Sequence, residues 1–71
     1  MERVLDVRGL QCPIPLLRAR AELPRIATGD TLVVLATDAE APVDLGALAA
    51  DEGMGCAVSE ADGVWEVRLR R

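Results

Sequence analysis

The sequence predicts an α+β fold, a two-layer βαβαββ sandwich in which a four-stranded mixed sheet carries two helices on one face. Three observations lead to this prediction. Two apolar runs of strand type flank a helical pattern, a second helical pattern follows them, and the chain ends in two alternating segments around Asp62-Gly63. Because 71 residues suffice for only one small core, we expect a single domain over residues 1–71.

The first strand and the first helix are indicated by periodicity. Residues 3–7 form a short strand in which Leu5 and Val7 share one face. Four apolar residues then recur at helical spacing, namely Leu16, Ala19, Leu23 and Ile26. Pro24 has no N–H to donate to the carbonyl of Arg20, so we expect a kink or a final tight turn there. Gly29 is expected to end the helical region.

The middle of the chain predicts a central strand and a second helix. Residues 31–36 are a continuous apolar run rich in β-branched side chains. A strand, a helix and a second such strand form a βαβ unit, so the first two strands should be parallel. Residues 41–52 form the second helix, with Pro42 near its start and Gly53 as its stop. Its inner face consists of Leu45, Leu48 and Ala49.

The last segment is typical of a β-hairpin with strands 55–61 and 64–69. Asp62-Gly63 suits a two-residue turn, which places Val58 opposite Val67 and Cys56 opposite Leu69. Cys56 therefore falls on the apolar face, where we expect a buried, structural thiol. Trp65 lies in the same row and is expected to cover one end of the core.

The stretch Arg8-Gly9-Leu10-Gln11-Cys12-Pro13-Ile14-Pro15 connects the first strand to the first helix. Proline suits the first turn of a helix, so Pro13 is interpreted as the first helical residue and Cys12 as the N-cap. A thiol at a helix N-terminus can have a pKa of about 3.5–7.5, against roughly 8.5 for a free cysteine. Neither Pro13 nor Pro15 has an N–H, so Ile14 is the expected donor to the sulfur. We therefore predict a preorganised thiolate at Cys12.

Composition excludes several classes of function. The chain has two cysteines and no histidine, so we expect no disulfide framework, no metal site and no cofactor. An acidic chain with one aromatic residue does not favour direct binding of nucleic acid. No apolar run approaches the roughly 20 residues of a membrane span, and we expect a cytoplasmic protein.

Charge is distributed unevenly along the chain. Residues 1–29 carry five arginines and three acids, residues 30–66 carry nine acids and no base, and residues 67–71 add three arginines. Cys12 thus lies in a segment with a basic excess that includes Arg8, Arg18 and Arg20. Such a patch would suit a thiolate or an acidic partner surface. The alternative is that these arginines are ordinary solvated charges on a helix.

Residues 5–16 resemble the signature of the TusA/SirA-like sulfur-carrier family, whose hallmark is Cys-Pro-x-Pro at the start of the first helix. Gly29-Asp30-Thr31-Leu32 and Asp44-Leu45 are similar to the family pattern as well. The resemblance implies a βαβαββ domain with strand order 1-2-4-3. It also implies that Cys12 accepts sulfur as a persulfide from a desulfurase or rhodanese-type donor and relays it to an acceptor protein. By the same resemblance, the residues that would support the cysteine are Asp6, Arg8, Gly9 and Pro13, while Ile14 stands where relatives often have an acid.

The residues around Cys12 agree with a carrier that acts only together with partner enzymes. With no histidine base and no second cysteine nearby, Cys12 cannot run acyl transfer or dithiol exchange. Thiolation of tRNA, cofactor biosynthesis, sulfur oxidation and selenium metabolism all remain open as pathways. Two other functions also remain open: a redox-sensing thiol regulator, and a non-catalytic interaction domain in which Cys12 is only an N-cap.

Overall fold

The predicted order of elements, βαβαββ, is confirmed by the structure, a computed structural model that describes residues 1–71. A short 3₁₀ helix, Leu23–Arg25, extends the first α-helix. The elements are β1 (Glu2–Val7), α1 (Ile14–Glu22), β2 (Thr31–Ala36), α2 (Ala41–Glu52), β3 (Gly55–Ala61) and β4 (Val64–Arg70).

The four strands form one mixed sheet in the order β1-β2-β4-β3, as expected. β1 and β2 are parallel, and Val7 at the end of β1 lies opposite Ala36 at the end of β2. β4 is antiparallel to both of its neighbours. The hairpin has the predicted register, with Val58 opposite Val67. The sheet therefore places the carboxyl ends of β1 and β2 side by side.

The core lies between one face of the sheet and the two helices. Alternate residues of β2 and β4 are fully buried on this face, whereas their neighbours in sequence point to the opposite face. Ala19 of α1 and Leu45 of α2 complete the core with no exposed surface. Trp65 is half-buried and packs against the core cluster, as predicted. Neither helix has the length and apolar character that crossing a membrane requires.

The start of α1 differs from the prediction. The helix begins at Ile14 and Pro13 is its N-cap, so Cys12 lies one residue outside the capping position. The physical reason is a turn that precedes the helix: the Ile14 N–H donates to the carbonyl of Gln11 at 2.9 Å. The first N–H that reaches back into the helix is that of Leu17, 3.1 Å from the Pro13 carbonyl.

The helix ends predicted from glycine and proline are correct at two positions and wrong at one. Pro24 does produce a tight final turn, the 3₁₀ helix. The prediction that Gly29 ends the helical region is wrong, because Ile26 is already extended; with φ of 92°, Gly29 instead forms the turn into β2. Gly53 ends α2 as predicted, since its φ of 68° lets its N–H donate to the carbonyls of Ala49 and Ala50.

The prediction that Cys56 is buried is wrong. Its position opposite Leu69 is correct, but β3 is an edge strand and all seven of its residues are exposed. Val58, on the same face, is 46% exposed. Alternation identifies the correct face of the strand, but the helices do not extend far enough to cover that face at the sheet edge.

Candidate functional site

The candidate site lies at the carboxyl ends of β1 and β2. The segment 8–13 follows β1, and the segment 37–40 follows β2 and leads into α2. Because β1 and β2 are parallel neighbours, these two segments meet at the same end of the sheet. Cys12 therefore lies beside residues that are far away in the sequence.

Hydrogen bonds join the two segments. The Gly9 N–H donates to Thr37 Oγ1 at 2.9 Å, and the Cys12 N–H donates to Asp38 Oδ2. The other oxygen of Asp38 accepts the Glu40 N–H at 2.9 Å. These backbone N–H groups of Glu40 and Cys12 lower the pKa of the Asp38 carboxyl. Asp38 thus stays charged and holds the backbone of Cys12.

Asp6 and Arg8 form a separate, local ion pair before the cysteine. Arg8 Nε lies 2.9 Å from Asp6 Oδ1, and Arg8 Nη2 lies 2.7 Å from Asp6 Oδ2. The Arg8 backbone N–H also donates to Asp6, and together these bonds lower the pKa of Asp6 to about 2. Arg8 is therefore occupied by Asp6. The guanidinium does not supply basic surroundings for Cys12, which was one of the two interpretations that the charge pattern left open.

The sulfur of Cys12 faces carboxylates. Its Sγ lies 3.1 Å from Oδ2 of Asp44, in the first turn of α2, and the thiol can donate a hydrogen bond to it. The pKa of the Cys12 thiol is raised above its usual value, first by the hydrogen bond to Asp44, then by desolvation and by the charges of Asp44, Asp38 and Glu40. The predicted lowering of this pKa is therefore wrong in direction.

The first turn of α1 does not compensate for these charges. Pro13 and Pro15 have no N–H, and the Ile14 N–H is already bonded to the Gln11 carbonyl. The prediction that Ile14 donates to the sulfur is therefore wrong. Three of the residues at the start of the helix offer the sulfur no free donor, so the local benefit of a helix N-terminus is small.

The predicted site residues fall into three groups with different environments. Cys12 and Gly9 line a shallow, open cavity of about 420 Å³ at the site, whose other lining residues are Leu10, Gln11, Thr37, Asp38 and Glu40. Asp6 and Arg8 lie ahead of it as an exposed pair. In the first turn of α1, Pro15 is buried, whereas Ile14 is 41% exposed.

Sequence reasoning missed Asp38 and Asp44, the two residues that contact Cys12. A signal for Asp38 is present in the sequence, because Thr37-Asp38 directly follows the strand that the βαβ pattern places beside β1. Asp44 was noted only as part of a family pattern. Its contact with Cys12 depends on how α2 packs beside α1, which periodicity alone does not give.

Exposed apolar side chains lie in the first turns of the two helices that begin near the site. Ile14 and Leu17 lie one turn apart on α1, and Leu17 is 48% exposed. Val43, the neighbour of Asp44 in the first turn of α2, is 65% exposed. The cysteine thus lies in a surface that combines apolar side chains with carboxylates.

Comparison with known proteins gives a consistent result. Residues 3–71 match a family model described as sulfurtransferase TusA. One relative is a protein of Neisseria meningitidis serogroup A that is provisionally named a sulfur carrier protein. It is 48% identical over 62 residues, which cover 86% of this chain and 84% of that protein. The sulfur carrier protein TusA of Allochromatium vinosum is 37% identical over 62 residues, covering 87% of this chain and 82% of that protein.

A solved structure extends the likeness to three dimensions. The crystal structure of a SirA-like protein from Desulfitobacterium hafniense superposes with a TM-score of 0.86 at 31% identity, covering 97% of this chain and 95% of that chain. The sequence matches to the family model and to the two relatives therefore agree with the structural match. The chain belongs to the TusA/SirA-like family of sulfur-carrier proteins.

Proposed function

We propose that residues 1–71 act as one sulfur-carrier domain, in which Cys12 holds a single sulfur atom as a persulfide between a donor and an acceptor protein. The observation that carries the proposal is the position of Cys12 in a family member: its thiol is exposed in a shallow, open cavity at the end of the sheet. An open site allows two partners to reach the same sulfur in turn. A deep pocket would exclude them.

The proposed transfer needs no oxidant and no reductant. The sulfur of Cys12 attacks the terminal sulfur of a persulfide on the donor's cysteine. A bond forms between Cys12 Sγ and that sulfur, while the bond to the donor's own sulfur breaks. The donor leaves as a thiol that takes up the proton lost by Cys12. One sulfur–sulfur bond forms and one breaks, and the acceptor repeats the same exchange with Cys12 as the leaving group.

The neighbouring residues have supporting roles in this proposal. Gly9, with φ of 81°, allows the sharp turn after β1, and the ion pair between Asp6 and Arg8 holds the residues before that turn. Pro13 and Pro15 restrict the backbone after the cysteine. None of these groups reacts. Their contribution is a fixed position for the sulfur.

We propose that the partners are sulfur-transfer proteins that cover the apolar surface around the site. Ile14, Leu17 and Val43 are exposed there and would be buried by docking. Thiolation of tRNA is one pathway that such a carrier could serve. Two free thiols suit a reducing compartment, so we propose the cytoplasm as the place of transfer.

The structure favours this function over the two alternatives. A redox sensor needs a thiol that is ionised in the free protein, where the carboxylates raise the pKa of Cys12, whereas a carrier needs the thiolate only while a donor is docked. An interaction domain in which Cys12 serves only as an N-cap is not supported, because Pro13 occupies that position.

The test is the mass of the intact protein after incubation with a cysteine desulfurase and free cysteine, or with a rhodanese and thiosulfate. We expect the addition of one sulfur atom, which a reducing agent removes. Cys12→Ser should abolish the addition, and Cys56→Ser, the matched control at the other free thiol, should leave it unchanged. Loading that persists in Cys12→Ser, or that fails with both donors, would contradict the proposal.

A further inference from the structure

We propose that Asp44 is a positioning residue: it holds the Cys12 sulfur as a hydrogen-bonded thiol in the free carrier and releases it when a cationic side chain of a partner pairs with the Asp44 carboxylate. This inference rests on the proposed carrier function. It adds a condition to that function, since the sulfur becomes more reactive within a docked complex, and it names the chemistry that a partner must present.

The geometry provides the acceptor. Oδ2 of Asp44 lies 3.1 Å from the Sγ of Cys12, within hydrogen-bonding distance for sulfur. Asp44 is held in place by α2, because the next residue, Leu45, is completely buried in the core. The first turn of a helix also favours a negative charge, so the N-terminus of α2 stabilises the Asp44 carboxylate.

The carboxylates at the site have no cation of their own. The structure contains six ion pairs, and none of them includes Asp44, Asp38 or Glu40. The arginine nearest to Cys12 in the sequence is Arg8, and its guanidinium is already paired with Asp6. The first turn of α1 adds no further acidic residue to the site, so the negative charge comes from the β2–α2 segment and α2. A partner's arginine or lysine could therefore pair with Asp44 without displacing an existing ion pair.

Pairing would change the state of the sulfur in one step. A guanidinium or ammonium group bound to Asp44 competes for the oxygen that accepts the S–H, and it offsets the negative charge beside the sulfur. Both effects lower the pKa of Cys12 toward its ordinary value, so a larger fraction of the thiol is ionised next to the donor's persulfide. In the free carrier the thiol stays protonated and reacts slowly with oxidants and alkylating agents.

The first test measures the rate of alkylation of Cys12 by iodoacetamide from pH 6 to pH 11 in the Cys56→Ser protein, so that only one thiol reacts. Asp44→Asn removes the charge and keeps the shape. We expect its rate profile to move to lower pH, with a rate at pH 7 that is severalfold and up to about tenfold higher, since one pKa unit changes the thiolate fraction tenfold. Asp44→Glu keeps a carboxylate near the sulfur, so its rate profile should lie between those of Asp44→Asn and the parent protein.

The matched control is Asp51→Asn, which removes an exposed carboxylate from the same helix, about two turns further on. Its rate profile should coincide with that of the parent protein. Equal profiles for Asp44→Asn and the parent would overturn the proposal. A shift of the same size in Asp51→Asn would overturn it too, because the effect would then come from the net charge of the protein.

The second test uses a hexa-arginine peptide as a stand-in for a basic partner surface. The peptide should speed alkylation of Cys12 in the parent protein and have little effect in Asp44→Asn. Equal acceleration in both proteins, or none in either, would overturn the role of a partner cation. Loading by a desulfurase is measured in the same samples. Failure of loading with an intact Asp44 effect would contradict the carrier function and leave the positioning role standing.

Discussion

The backbone N–H of Cys12 donates a hydrogen bond to the carboxylate of Asp38, a residue 26 positions further along the chain. Cys12 is therefore held by the segment that follows the neighbouring parallel strand. A second bond, from the Gly9 N–H to Thr37, joins the same two segments. The position of the sulfur thus depends on the pairing of β1 with β2 as well as on its own turn.

The first prediction concerns this attachment. Asp38→Ala removes the acceptor for the N–H groups of Cys12 and Glu40, so the Cys12 amide should exchange with solvent between about twofold and tenfold faster, the range expected for the loss of one hydrogen bond. Sulfur loading of Cys12 should slow as its position becomes less fixed. Amide exchange followed by NMR gives the first value and intact mass the second. Asp51→Ala is the control, and an unchanged Cys12 amide would refute the prediction.

The second prediction concerns the ion pair before the site. The pKa of Asp6 is lowered to about 2 from 3.8 by its hydrogen bonds with Arg8. A group whose folded pKa is lowered stabilises the fold above its unfolded pKa, and this contribution is lost as the pH falls. The Asp6–Arg8 contribution should therefore be complete above about pH 4 and absent below about pH 2.

NMR titration of the Asp6 carboxyl carbon checks this value directly. In Arg8→Gln the pKa of Asp6 should return toward 3.8, because both the guanidinium hydrogen bonds and the charge are lost. Arg25→Gln, which removes an exposed arginine that pairs with Glu22, should leave the Asp6 titration unchanged. A titration of Asp6 near 3.8 in the parent protein would contradict the prediction.

The third prediction compares two glycines. Gly63 has φ of 79° in the hairpin turn, so Gly63→Ala should destabilise the protein by about 1–2 kcal/mol, the cost of a left-handed residue with a Cβ. Gly46 lies within α2, and a Cβ added there meets no atom within 4 Å. Gly46→Ala should stabilise the protein by about 0.5–1 kcal/mol, because alanine favours the helix. Urea unfolding measures both, and changes of the same sign would show that one of the two arguments fails.

The fourth prediction compares two leucines of the helices. Leu45 is completely buried, so Leu45→Ala should lower the free energy of unfolding by about 2–5 kcal/mol through lost apolar contact and the cavity left behind. Leu17 is 48% exposed, and Leu17→Ala should change it by less than about 0.5 kcal/mol. Thermal unfolding followed by circular dichroism distinguishes them. Similar losses in the two variants would mean that Leu17 is packed more closely than its exposure indicates.

Much of the fold follows from local patterns in the sequence. β2 has the predicted bounds, Thr31–Ala36, because a β-branched apolar run between turn residues has few alternatives. The hairpin register follows from Asp62-Gly63, which occupies the turn with φ of 54° and 79°. The burial of Cys56 could not be predicted in the same way. Alternation identifies the face of a strand, whereas burial depends on which strands the helices cover.

Of the candidate site, the sequence indicated the turn that contains Cys12 but not its surroundings. Two prolines marked the turn that contains Cys12, yet the electrostatic surroundings were predicted with the wrong sign. The basic excess of residues 1–29 is a property of the sequence, whereas the charges that reach the sulfur come from Asp38, Glu40 and Asp44. Their approach requires the parallel register of β1 and β2 and the packing of α2, both of which are long-range features of the fold.

The antiparallel direction of β4 also determines which charged residues of the hairpin lie at each end of the sheet. Because Trp65 lies opposite Ala36, the hairpin turn falls at the same end of the sheet as the cysteine, and Arg70 falls at the far end beside Thr31. Carboxylates at the cysteine end that are not paired with an arginine include Asp38, Glu40, Asp44, Glu60 and Asp62. In the docking proposed above, this concentration of negative charge would attract a basic partner toward the end of the sheet that carries Cys12. The rate of encounter should therefore fall as ionic strength rises.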